Sequence, residues 1–203
     1  MPYKYDVFLS YRRANAWPKF VDTTFMPMFR HWLMAELGYP PKIFFDVDEI
    51  ETGESWPYRL ALGVASSKIM VCLWSNEYFA SPWCQAELGH MLARREATRL
   101  PSGPLPLILA LVIHDGEKIS HSLDDIQRLA IQDYANPWLA RGSPKAERLS
   151  EQLRRFCLDV VDALEQAPVC DPGWPDLAVD DFVELFRRQV EQHEVPSLGG
   201  VTS

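Results

Sequence analysis

The sequence predicts an α/β fold built on a parallel sheet, and three observations carry that reading. Short β-branched and aromatic runs, "YDVFLSY" (5 to 11), "KIFFDV" (42 to 47), "IMVCLWS" (69 to 75) and "LPLILALVIH" (105 to 114), alternate with segments whose apolar residues recur at helical spacing. The run at 69 to 75 is apolar on both faces, as a central parallel strand covered by helices reads. The segments between the runs open and close on capping residues, which fixes where strand period gives way to helix period.

In chain order, "YDVFLSY" is a buried first strand ending in a polar cluster. Phe25, Phe29, Trp32, Leu33 and Leu37 then mark a helix that Gly38 and the Pro40–Pro41 pair stop, with a short first helix before it and a restart near Pro27. After the second strand (42 to 47), "DEIETGES" (48 to 55) is an acidic loop hinged on Gly53, and Pro57 suits the first turn of a helix over 56 to 68. Ser81 as N-cap with Pro82 behind it starts a helix that runs to about Thr98. The segment 122 to 136 reads as a short helix followed by a fifth, edge strand around Ala130 to Tyr134. Leu149, Leu153, Phe156, Val160 and Leu164 give a long helix over 143 to 166. A Pro-rich bend follows, then an amphipathic pattern on Phe182, Leu185, Phe186 and Val190 that is expected to dock on the domain, and a disordered tail.

Composition excludes several function classes. The net charge of −8 and pI near 5.1 argue against a nucleic-acid or acidic-membrane binder, which needs a basic face to neutralise phosphates. No apolar stretch approaches the roughly 20 residues of a membrane span, and the N-terminus lacks the order of a signal peptide, so a cytoplasmic protein is expected. The four cysteines, Cys72, Cys84, Cys157 and Cys170, show no paired spacing and read as reduced thiols. The carboxylate-rich loop lacks the spacing of a calcium site and has no His or Cys cluster beside it, so no metal is expected. The five histidines have no nucleophile at fixed offset, and phosphate-binding glycine patterns are absent.

Two stretches are left as candidate sites. "SYRR" follows the carboxyl end of the first strand, where open parallel sheets bind ligands, so Arg12 and Arg13 are either a solvated turn or contacts to phosphate or ribose. In "SPWCQAEL" (81 to 88), Cys84, Leu88 and Met91 supply a core stripe, while Trp83 and Glu87, one turn apart, stack on its flank. That pair is either the edge of a capped surface helix or the wall of a pocket.

Taken together, "YDVFLSYR", "FFDVDEIETGE" and "LALGVASSKIMVCLWSNEYFASPWCQAEL" resemble a TIR (Toll/interleukin receptor) domain, with most likeness to plant and bacterial members. The resemblance covers roughly residues 3 to 165 and is most specific from Leu60 to Leu88. It implies a flavodoxin-like, open five-stranded parallel sheet with helices on both faces over residues 1–165, leaving 166–203 as a C-terminal helical extension. In enzymatic members a glutamate on the third main helix cleaves NAD, and the matching residue is Glu87. Trp83 matches the tryptophan that lines the nicotinamide side. Ser10, Tyr11 and Arg12, with Arg13 beside them, match the loop that closes over the substrate, and Phe45 and Asp46 match the segment after the second strand. Trp56, just past that segment, is a further candidate for substrate or subunit contact.

The resemblance therefore implies an NAD glycohydrolase or cyclase that releases nicotinamide with ADP-ribose or a cyclic ADP-ribose isomer, in bacterial antiphage defence or immune signalling. NAD is its substrate and no cofactor is needed. The implied partners are further copies of the chain, through TIR–TIR contacts, and a sensor or effector protein. Two other readings stay open: a non-catalytic TIR adaptor that self-assembles, and a nucleoside deoxyribosyltransferase-like enzyme, which also uses a glutamate.

Overall fold

The computed structural model of the protein describes residues 3–45, 56–115, 123–174 and 180–184. Five strands, β1 (Tyr5–Tyr11), β2 (Ile43–Phe44), β3 (Ser67–Trp74), β4 (Ile108–Val112) and β5 (Arg128–Ala130), form one sheet in the order β2-β1-β3-β4-β5. Every pairing is parallel, which confirms the predicted class. In register, Ser10 lies opposite Cys72 and Tyr11 opposite Leu73, so the ends of β1 and β3 are level. β4 is buried throughout and β3 nearly so, as their unbroken apolar sequences require.

The helices are α1 (Trp17–Phe20), α2 (Met26–Leu37), α3 (Trp56–Ala65), α4 (Asn76–Phe79), α5 (Pro82–Ala97) and α6 (Pro144–Glu165). α2 packs on α6, while α3 and α4 both pack on α5. Serines 75, 81 and 143 cap α4, α5 and α6 through their side chains. Gly38, at φ +75°, ends α2 in the left-handed conformation that glycine adopts without strain. No described helix is long and apolar enough to cross a membrane.

The structure refines three expectations. The short first helix and the restart near Pro27 are as expected, with α2 starting at Met26 and Pro27 in its first turn, but a π-helical turn, Val21–Phe25, joins the two helices without a break. That turn keeps Phe20, Phe25 and Phe29 in one buried aromatic row, with Phe25 and Phe29 stacked at 5.3 Å and Phe29 reaching Phe156 of α6 at 6.5 Å. The edge strand is Arg128–Ala130, and Tyr134 lies in the turn after it. Of the short helix expected at the start of 122–136, Leu123 is in a 3-10 turn that passes into a turn and bend over 124–126. The last two residues of the second strand's expected span (46 and 47) and most of the C-terminal amphipathic pattern (185 onward) lie outside the described residues.

Candidate functional site

With β2 on one side of β1 and β3 on the other, the chain reverses its direction of winding between β1 and β3. Open α/β sheets bind ligands in the crevice at the carboxyl ends of such a pair. Three short segments converge there. β1 delivers Ser10 and Tyr11 and runs on into Arg12 and Arg13; α4 delivers Tyr78; α5 delivers Trp83, Cys84 and Glu87.

Glu87 is the chemical centre of this crevice. It is 7% exposed, yet it borders an open pocket. Ser10 Oγ donates a hydrogen bond to Glu87 Oε2, and a 2.9 Å hydrogen bond joins Ser10 to the Tyr78 hydroxyl. Ser10 thus links Glu87 to Tyr78, whose hydroxyl also donates toward Cys84 O and Cys72 Sγ, and the groups form a buried network. Burial pushes the Glu87 carboxyl up to about 8, against the opposing pull of the Ser10 hydrogen bond and the Arg13 charge. Burial thus favours the protonated form of this carboxyl far more than in water.

The pocket has a volume of about 150 Å³. An apolar cavity near that size takes one benzene ring, so its enclosed part matches a single heteroaromatic ring and not a whole dinucleotide. Phe8, Phe44 and Leu60 line it together with Trp83, and Arg12 and Arg13 border it. Phe8 and Phe44 stack at 5.2 Å with their planes 9° apart. Arg12 Nη1 donates to the α5 cap, Ser81 Oγ, at 3.3 Å. The Arg13 guanidinium lies 5.8 Å from the centre of the Tyr11 ring, and burial lowers its pKa. The loop that carries the arginines is tied down by Asn15, whose side chain donates to Glu77 of α4 at 2.7 Å.

The sequence candidates divide as follows. Glu87, Trp83, Tyr11, Arg12 and Arg13 share the pocket, and Ser10 reaches it through Glu87. Phe45 does not line the pocket but stacks on Tyr11, which does, at 6.2 Å. Asp46 and the side chain of Trp56 lie outside the described residues. Cys84 lines the pocket but is only 3% exposed, and burial holds its thiol well above the ordinary range, which suits a packing group. Among the described residues there is no cluster of three or more metal-ligating side chains.

Sequence reasoning missed two contributors. Tyr78 stands in the motif "NEYFASPWC", but nothing in its spacing shows that it turns inward to Ser10. Phe182, fully buried, stacks on Trp83 at 6.1 Å from far along the chain, and only its place in an amphipathic pattern hinted that it was inward-facing.

Comparison with known proteins gives one family and two solved structures. The family model for the TIR domain matches residues 7–142. Among solved structures, the TIR domain of the Toll-related receptor TRR-2 from Hydra magnipapillata is 16% identical, with 78% of this chain and 99% of that one covered and a TM-score of 0.49. The TIR domains of the activated Roq1 resistosome, which directly recognises the pathogen effector XopQ, are 17% identical, with 90% and 99% covered and a TM-score of 0.41.

Proposed function

The chain belongs to the TIR domain family, and from that premise we propose that it cleaves the bond between nicotinamide and ribose in NAD, with Glu87 as the catalytic carboxylate. The observation that supports this reading most is one buried glutamate bordering a ring-sized pocket that Trp83 also lines. The nicotinamide ring of NAD is flat, positively charged and of the size that the enclosed pocket takes. Seated beside Trp83, it stacks on an aromatic face; seated near Glu87, it draws the proton off the carboxyl, because an adjacent cation favours the charged form.

Departure of nicotinamide needs no general acid, since the leaving group is a neutral pyridine. Positive charge passes instead to the ribose ring, and the Glu87 carboxylate, held by Ser10 and itself largely buried, stabilises it where it develops. Water then adds to the ribose carbon and gives ADP-ribose, or an adenine nitrogen of the same molecule adds and gives a cyclic isomer. Arg12 and Arg13 at the pocket border supply the cationic groups for the diphosphate, which has no place in a cavity of about 150 Å³ and lies outside it.

The test is NAD consumption by the full chain and by Glu87→Gln, at high protein concentration and above pH 8, with products separated by mass. Nicotinamide released by the native chain and reduced by about 10²- to 10³-fold in the variant supports the proposal, in the range expected when an electrostatic stabiliser is removed. The co-product distinguishes hydrolase from cyclase. Equal inactivity of both, even in assemblies, overturns it in favour of a self-assembling adaptor. Turnover of nucleosides without NAD cleavage favours the deoxyribosyltransferase reading.

A further inference from the structure

The helix α5 carries more than the Trp83–Glu87 pair. Trp83, Glu87, His90 and Arg94 recur at helical spacing and form one stripe along it. Chain from beyond α6 meets this stripe near both ends. At the far end, the Arg94 guanidinium packs over the Trp174 ring, 4.3 Å from its centre, while also donating to the carbonyls of Val64, Ala65 and Ser67. At the near end, Phe182 stacks on Trp83, at 6.1 Å with 25° between the planes. Tyr3 adds a third anchor through its hydroxyl, which donates to the Pro168 carbonyl at 2.8 Å.

Phe182 is fully buried, in a short helical stretch (180–184) whose residues 180, 181 and 183 are exposed. It is not a pocket-lining residue; Trp83 is. Trp83 thus meets Phe182 in a stacked contact and lines the pocket as well. Residue 182 also lies outside the part of the chain, 7–142, that matches the family.

We infer that Phe182 is a positioning residue of the site: it backs the Trp83 indole and holds it as a fixed wall against the ring that enters the pocket, so that the chain beyond the family-matched region completes the substrate site. This deepens the NAD-cleaving reading and rests on it for the identity of the ring, though not for the contact itself. The stacked pair fixes the indole plane before substrate arrives, and a wall already in place costs the incoming ring less to bind. Stacking on the cationic nicotinamide is a ground-state contact, so its loss raises KM more than it lowers kcat.

The experiment uses the full chain with Phe182→Leu, which keeps apolar bulk and removes the ring, and Phe182→Tyr, which restores the ring. Labelling the seven tryptophans with 5-fluorotryptophan gives fluorine resonances among which Trp83→Phe identifies that of Trp83. The expected result is a shifted and broadened Trp83 resonance in Phe182→Leu with the others in place, and recovery in Phe182→Tyr. In NAD turnover, KM rises roughly three- to tenfold in Phe182→Leu with kcat within about twofold, in keeping with the worth of one aromatic pair, and Phe182→Tyr recovers it. A Trp83 resonance that does not move overturns the inference. So does a fall in kcat at unchanged KM, which is the signature of lost folded protein. If the native chain cleaves no NAD, the functional reading fails, and the fluorine resonance alone decides whether Phe182 positions Trp83.

Discussion

At the scale of single residues, the site is set by what burial does to Glu87. Folded, this carboxyl keeps its proton up to pH about 8; unfolded, it releases it near the ordinary value of 4.5. Between those two values the folded state holds the extra proton, so the free energy of unfolding falls as pH rises and the loss is complete above about 8. Glu87→Gln has no proton to lose. Urea melts at pH 5 and pH 9 are expected to show native protein losing stability relative to Glu87→Gln by on the order of a few kcal/mol; parallel losses in both proteins would show that the carboxyl is not desolvated. The variant that gains stability is also the one expected to lose activity, as when a strained site is relaxed. The sequence made the Trp83–Glu87 pair visible because helical spacing is local. It could not show Ser10 and Tyr78 as partners of Glu87, since that network joins separate elements and leaves no period in the chain.

At the scale of elements, the pocket wall depends on how closely α3 approaches β2. A methyl group at Gly63 would stand 2.6 Å from the Phe44 ring. That ring has little room to retreat, being stacked on Phe8 at 5.2 Å and edge-on to Tyr5 at 5.1 Å. Gly63→Ala is therefore expected to destabilise by about 1–3 kcal/mol, the usual cost of overpacking, read as a lowered Tm in calorimetry. Because Phe44 lines the pocket, nicotinamide should bind the variant more weakly as well. The elements legible in the sequence were those with strong signals: β3 and β4 from unbroken apolar runs, α5 from its Ser-Pro start, α6 from its long apolar stripe. The π-helical turn at Val21–Phe25 was not legible, because an extra residue in a helix mimics a break in helical period. β5 was displaced in the reading because an exposed edge strand of three residues has almost no pattern to read.

At the scale of the whole molecule, the chain after α6 contributes to stability as well as to the site. Full burial of Phe182 is worth about 2 kcal/mol, and the packing of Arg94 on Trp174 adds to it. Truncation after Glu165 is expected to lower Tm by roughly 4–8 °C in calorimetry, at 2–4 °C per kcal/mol for a chain of this size; an unchanged Tm would mean that these contacts do not hold in solution. The stack of Phe182 on Trp83 also sets an order in time. On the ribosome the chain emerges from its N-terminus, so the strands, Glu87 and the pocket's other walls are all made before Phe182 is. A newborn copy of this protein can thus fold its sheet while the indole beside its glutamate still lacks its backing, which arrives only once residue 182 has emerged.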